Sequence, residues 1–223
     1  MAEARGVLLP AYVLVDESGS MGPYVDDLSD GLVSLCEQLR AAPMLAAKLR
    51  LAVLGFSDDV RVHLAVADMR QETSLPRITV RGGTSYGAAF NDLAARIPAD
   101  VEFLRGEGYK VHRPVVFFLS DGQPTDFAWK RALARLGRDK MKAAPNIIAC
   151  GMGSAERKTI AEVATRPEFG FIAQKGTDLG RAISEFFQAL TASLIASSQA
   201  LGSANPQLVV TPPEGFTVVL DEV

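Results

Sequence analysis

Six short apolar runs punctuate this chain: Tyr12–Asp16, Arg50–Phe56, Val60–Val66, Val115–Ser120, Asn146–Gly151 and Gly170–Ala173. Between most of them, apolar residues recur every three or four positions. Near-continuous apolar runs read as strands buried on both faces, and helical segments between them are the crossovers that parallel neighbours require. The alternation predicts an α/β fold with a doubly wound, mostly parallel six-stranded sheet, covered by helices on both sides. The second and third runs are separated only by Ser57-Asp58-Asp59, a hairpin signal, so the third is expected to be an antiparallel edge strand. Its alternation sets Val60, Val62, Leu64 and Val66 against Arg61 and His63, which suits a half-exposed edge.

The helical period is read from stripes. Val25, Leu28, Leu32, Leu35 and Leu39 form one, and Phe90, Leu93 and Ile97 another. A third helix is expected over Phe127–Leu136 with Asp126 as its cap, and a short fourth over Ser154–Val163. A long last helix carries Leu179, Ile183, Phe186, Leu190 and Leu194, opening at Thr177 or Asp178. Pro98 and Pro145 are expected to mark element boundaries. Residues 1–198 are expected to form one domain, and residues 199–223 a linker and C-terminal tail. Within the tail, Leu208–Val210 and Phe216–Leu220 flank a Pro212-Pro213-Glu214-Gly215 turn. A small hairpin, a partner-binding strand pair and a loosely attached tail all fit that pattern.

Composition narrows the function classes. At 223 residues, 48% apolar and 22% charged, the chain has the make-up of a globular domain with a full core. A net charge of −3 provides no electrostatic footprint for nucleic acid or an anionic membrane surface. No apolar stretch of about 18 residues occurs, so no membrane span is expected. Residues 1–9 have neither a basic n-region nor a cleavable h-region, and Cys36 and Cys150 read as buried thiols. A cytoplasmic location is expected.

Chemistry concentrates at three places. Asp16-Glu17-Ser18-Gly19-Ser20 leaves the first apolar run with a carboxylate and two hydroxyls at i, i+2 and i+4. Gly82-Gly83-Thr84 brings a hydroxyl to the mouth of a helix, and Ser120-Asp121-Gly122 a second carboxylate to the end of another apolar run. All are hard oxygen donors, suited to Mg²⁺ or Mn²⁺ and not to a soft metal. In an open α/β sheet, ligands collect beyond the carboxyl ends of the strands, so the three segments predict one converged site.

Asp16-x-Ser18-x-Ser20, with Thr84 and Asp121 downstream, resembles the metal-ion-dependent adhesion site (MIDAS) of von Willebrand factor A domains, over about residues 8–198. Gly82-Gly83-Thr84-Ser85-Tyr86-Gly87 and Leu119-Ser120-Asp121-Gly122-Gln123-Pro124-Thr125-Asp126 resemble in particular the bacterial subgroup associated with tellurium resistance. The resemblance implies that Ser18 and Ser20 bind the metal directly, and Thr84 directly or through water. Asp16 and Asp121 then act mainly through water and by hydrogen-bonding the hydroxyls. It implies a module, not an enzyme, that binds a partner protein's Asp or Glu through the cation, with kinase-like or phosphatase-like proteins as partners. Glu17 is expected to face solvent, because an inward acid would over-supply negative charge.

Rival readings fare worse. Ser18-Gly19-Ser20-Met21-Gly22 approximates the nucleophile elbow of serine hydrolases, with Ser20 as nucleophile. That chemistry needs a later His, and the two in the chain are His63 and His112, both expected at the surface. An aspartyl phosphotransferase would need a carboxylate where Ser18 stands. Gly151-Met152-Gly153 lacks the third glycine of a dinucleotide fingerprint. Trp129 reads as a half-buried packing residue or an interface anchor.

Overall fold

The computed structural model describes residues 4–201, 203 and 206–219. Its centre is a sheet in the order β3-β2-β1-β5-β6-β7-β8. The strands are β1 (Val7–Asp16), β2 (Leu49–Phe56), β3 (Val60–Ala67), β4 (Lys110–Val111), β5 (Val115–Ser120), β6 (Asn146–Gly151), β7 (Gly170–Ala173) and β8 (Phe216–Val218). β1 pairs in parallel with both β2 and β5, β5 with β6, and β6 with β7; β2–β3 is antiparallel. The doubly wound, mostly parallel architecture is thus the expected one, enlarged by two short strands. β4 continues beside the start of β1, and β8 adds an antiparallel pairing to β7.

The helices are α1 (Val25–Ala41), α2 (Pro43–Ala46), α3 (Tyr86–Gly106), α4 (Trp129–Ala134), α5 (Arg157–Val163) and α6 (Leu179–Ala200). Strand period two divides the core between the two faces. Val13 and Val15 pack with Leu28 and Leu32 of α1 and Phe186 and Leu190 of α6. Tyr12 and Leu14 face the opposite way, with Phe90, Leu93 and Ile97 of α3 and Trp129 of α4. Each such fully buried side chain contributes about 1.5–3 kcal/mol. Trp129 is core, at 7% exposure, whereas Phe127 two residues earlier is fully exposed.

Several local expectations change. Pro98 lies inside α3, not at its end. An interior proline costs about 3 kcal/mol. Here the apolar face continues past it to Val101 and Leu104, and Tyr12 Oη donates to Asp100 at 2.9 Å, tying the second half of the helix to β1. α4 is shorter than Phe127–Leu136, because the Asp126 carboxylate accepts from Gly87 N–H at the start of α3 instead of capping its own helix. In β3, Val62 and Leu64 oppose the consecutive residues Leu54 and Val53, leaving His63 as the extra residue of a bulge. The bulge reverses the expected facing: Val62 turns out and the His63 side chain turns in, to 7% exposure.

In the tail, the described residues show β8 paired to β7, and no partner strand for it over Leu208–Val210. Val209 and Thr211 N–H instead donate to Ser197 and Ser193 hydroxyls on α6. Leu220, at the end of the expected second tail strand, lies outside the described residues.

Cys36 and Cys150 are buried free thiols, Cys36 pushed up to about 11 by burial and Cys150 pushed further still. Thiolate is the reactive form. Both should therefore be inert to a chromogenic aromatic disulfide at pH 8 in the native protein, and both should react at once in denaturant; one fast thiol under native conditions would contradict the packing.

Candidate metal centre

Strand order reverses at β1 and β5, whose connections run to opposite sides of the sheet, and this opens a crevice beyond their carboxyl ends. In the β1–β5 register Val15 faces Leu119, so Asp16 and Ser120 leave the sheet side by side. Asp16 Oδ2 accepts from Ser120 Oγ at 2.5 Å, and Asp16 Oδ1 accepts from Ser18 N–H at 2.8 Å. Both carboxylate oxygens are thereby fixed. The second bond folds the chain back so that the Ser18 and Ser20 hydroxyls lie 3.1 Å apart, and Ser20 Oγ donates to Asp121 Oδ1 at 2.8 Å. Thr84 joins from a third segment. A side chain at Gly122 would meet the Thr84 hydroxyl at 3.5 Å, so that hydroxyl sits over the backbone just after Asp121. No hydrogen bond from it is seen among the described residues. Direct bonds thus unite Asp16, Ser18, Ser20 and Asp121, and Thr84 closes the group through Gly122.

Its electrostatics favour a cation. Burial pushes the Asp16 carboxyl up to about 6, against the lowering effect of its Ser120 and Ser18 bonds, with Asp121 nearby raising it further. Burial also raises Asp121, which Ser20 partly offsets. Neither carboxylate has a Lys or Arg partner among the described residues. Two desolvated acids with three neutral hydroxyls form an all-oxygen set that a hard divalent ion fits. Among the described residues no three His, Cys, Asp or Glu side chains gather as a metal cluster. Ser18 is buried and Ser20 is exposed, so one side stays open to solvent. Beneath lies a stiff aromatic floor: Tyr86 packs edge-on against Phe118 at 4.9 Å, and its hydroxyl donates to Gly122 C=O at 3.0 Å.

Glu17 does not face solvent. It is wholly buried, with Oε1 2.6 Å from His63 Nε2 and Oε2 accepting from Arg81 Nε at 2.9 Å. Burial works to raise its carboxyl, but His63 and Arg81 together hold it below the ordinary range. The charge feared at the metal is turned away and neutralised in place. His63 therefore serves Glu17, and His112 lies before β5 at the other end of the sheet. Ser20 has no His partner among the described residues, so the hydrolase arrangement is not assembled. The bulge that turns His63 inward, and the distant Arg81, left no linear signal by which this trio could be read.

Residues 11–123 match the profile of the von Willebrand factor type A domain. No curated protein sequence matches the chain. Solved structures of similar fold include the open form of the pilus adhesin SpaC from Lactobacillus rhamnosus GG, with TM-score 0.65 and 14% identity over 85% of this chain and 30% of that one. A von Willebrand factor type A structure from Catenulispora acidiphila has TM-score 0.57 and 17% identity, covering 85% of this chain and 43% of that one. Proximal thread matrix protein 1 from the mussel byssus, in a form with a zinc-occupied MIDAS motif, has TM-score 0.58 and 16% identity, covering 86% and 49%. The chain thus spans under half the length of each of these solved chains, and at such identities the likeness is one of fold.

Ser120→Ala should test the buried network directly. It removes a donor from the Asp16 carboxylate, and leaving a buried acceptor short costs about 1–3 kcal/mol. Urea unfolding in EDTA at pH 7 should show a loss of that size, and an unchanged midpoint would mean that the Ser120–Asp16 bond contributes nothing.

Proposed function

The chain belongs to the von Willebrand factor type A domain family, and on that footing we propose that it is a metal-dependent protein-binding module and not an enzyme. The observation that carries this reading is the pair of buried carboxylates at the mouth of the sheet, with no Lys or Arg partner among the described residues: Asp16 bonded to Ser18 N–H, and Asp121 to the Ser20 hydroxyl that lies 3.1 Å from the Ser18 hydroxyl. Asp16, Ser18, Ser20, Thr84 and Asp121 would hold Mg²⁺ or Mn²⁺. Once bound, the cation supplies a Lewis-acidic position that a partner's Asp or Glu can fill with a charge-assisted bond. The hydroxyls leave much of the ion's positive charge uncancelled, while the two acids keep the site from binding anions when empty. Zinc in the mussel protein's MIDAS motif is compatible with an oxygen site of this kind, but hard donors favour Mg²⁺ or Mn²⁺.

Chemistry beside the site supports binding over turnover. Among the described residues Ser20 has no His partner, its hydroxyl donating to Asp121, and no Lys lies in the three ligand segments. The partner class follows from the words Gly82–Gly87 and Leu119–Asp126, which resemble the tellurium-resistance subgroup: kinase-like or phosphatase-like proteins of a bacterial stress system. Phe127, fully exposed on the segment after Asp121, supplies an apolar anchor beside the metal face, whereas Trp129 is buried in the core. Two buried free thiols suit a reducing cytoplasm, and among the described residues no helix is long and apolar enough to cross a membrane.

Calorimetry with Mg²⁺ and with Mn²⁺ should reveal a single site, lost in Asp16→Ala and Asp121→Ala proteins that remain folded. Saturation at about 100 times Kd should stabilise the wild type by about 2.7 kcal/mol. Unchanged binding in both variants would refute the assignment.

Capture of partners from the native host should succeed in Mg²⁺ and fail in EDTA or with Asp16→Ala as bait, and Phe127→Ala should weaken it by about 1–2 kcal/mol. Retention of the same partner in EDTA, or Mg²⁺-dependent ester hydrolysis abolished by Ser20→Ala, would overturn the module reading.

A further inference from the structure

Thr84 is the candidate ligand whose place no regular element fixes. It lies between β3 and α3, in a stretch without helix or strand from Asp68 to Ser85. Holding such backbone in one conformation costs about 1–2 kcal/mol per residue, so something else must supply the order.

Thr84 C=O itself accepts from Thr125 N–H at 2.9 Å, and the contacts that order the residues leading to it begin at Glu17. Arg81 N–H donates to Glu17 C=O at 2.7 Å, and the Arg81 side chain bonds the Glu17 carboxylate, so one residue grips another by main chain and side chain together. Arg81 also donates to Gly55 C=O at 3.3 Å and pairs with Asp59. The next residues are laced to the same two turns. Gly19 N–H donates to Gly82 C=O at 3.1 Å, Gly83 N–H to Asp58 Oδ1 at 3.0 Å, and Ser85 N–H to Ser57 C=O at 2.7 Å. Space for the Glu17 carboxylate exists because residue 55 is glycine: a Cβ there would lie 2.2 Å from Glu17 Cδ. His63, turned in by the β3 bulge, closes the other oxygen.

We propose that Glu17 is a positioning residue for the metal centre: through Arg81 it holds Thr84 against the Asp16–Asp121 pair without touching the cation itself. The inference rests on the metal-centre reading above. Glu17 sits between Asp16 and Ser18 in sequence but faces the opposite side, so one pentapeptide both contributes donors and orders the loop that brings the remaining hydroxyl. An alternative role for Glu17, as a plain negative charge near the ion, predicts a different pattern of coupling, because an electrostatic contribution persists when Thr84 is absent.

Mn²⁺ binding by calorimetry to the full chain separates these. Arg81→Ala and Glu17→Ala are each expected to weaken binding about tenfold, the scale on which supporting contacts act on a metal site. Thr84→Ala is expected to do likewise, and adding Arg81→Ala to Thr84→Ala should cost no further affinity. Arg81→Lys, which keeps the charge but not the fork, should fall between. In EDTA, hydrogen exchange at Gly83 and Ser85 amides should accelerate in Arg81→Ala while β1 and β5 amides stay protected. If Glu17→Ala does not fold, Arg81→Ala carries the same comparison. Mn²⁺ affinity in Arg81→Ala within about twofold of wild type, or losses that multiply in the Arg81→Ala/Thr84→Ala protein, would overturn the proposal. A wild type that binds no Mn²⁺ removes the metal-centre reading and this inference with it, and is told apart from failure of the clamp because exchange at Gly83 and Ser85 is measured without metal.

Discussion

The carboxylate of Asp16 is the constraint around which this molecule is arranged. It ends the central strand of the sheet with no exposure to solvent, a position in which an unpaired charge is strongly unfavourable. Two donors from different parts of the chain meet it, Ser18 N–H and Ser120 Oγ. The first shapes the turn that presents Ser18 and Ser20. The second ties the end of β1 to the end of β5 and so aims Asp121 at Ser20. Satisfying one buried anion therefore assembles most of the candidate site, and what remains unsatisfied is net negative charge, which a divalent cation can answer.

A second buried acid lies one residue away and is handled differently. Glu17 is held by the Arg81 guanidinium and the His63 ring, whereas Asp16 has no Lys or Arg partner among the described residues. Asp16 bonds Ser120 at the end of β5, while Glu17 bonds His63 of β3 and lies against Gly55 of β2. The same pentapeptide thus separates a structural charge from a chemical one. Arg81, in compensating Glu17, connects the sheet's antiparallel edge to the loop that ends at Thr84, so that even the irregular part of the rim is tied to the central strand.

Sheet topology explains why these groups meet at all. β1 is flanked by β2 on one side and β5 on the other, and its crossovers leave in opposite directions, which opens the sheet at this end. The aromatic floor of Phe56, Tyr86, Phe118 and Trp129 supports the opening from below. Tyr86 contributes both to that floor and, through its hydroxyl, to Gly122, next to Asp121.

Much of this was legible in the chain itself. Short apolar runs and 3.6-residue stripes are local consequences of burying strands and helices, so the existence of β1, β2, β3, β5, β6 and β7, the antiparallel edge and the strand-end position of Asp16, Ser18, Ser20 and Asp121 could be read directly. What could not be read depended on contacts between distant segments. The bulge that turns His63 inward arises from the β2–β3 pairing register, Pro98 stays within α3 because its apolar face continues to Val101 and Leu104, Asp126 serves α3 and not its own helix, and β8 finds an edge on β7 only once the sheet exists. Glu17 is the clearest case: sequence determines that an acid stands beside the site, but only the tertiary structure, by bringing Arg81 and His63 to it over gaps of 64 and 46 residues, decides that burial is favourable there. A local pattern reports which groups a segment must bury, whereas the partner that makes burying a charge affordable comes from elsewhere in the chain.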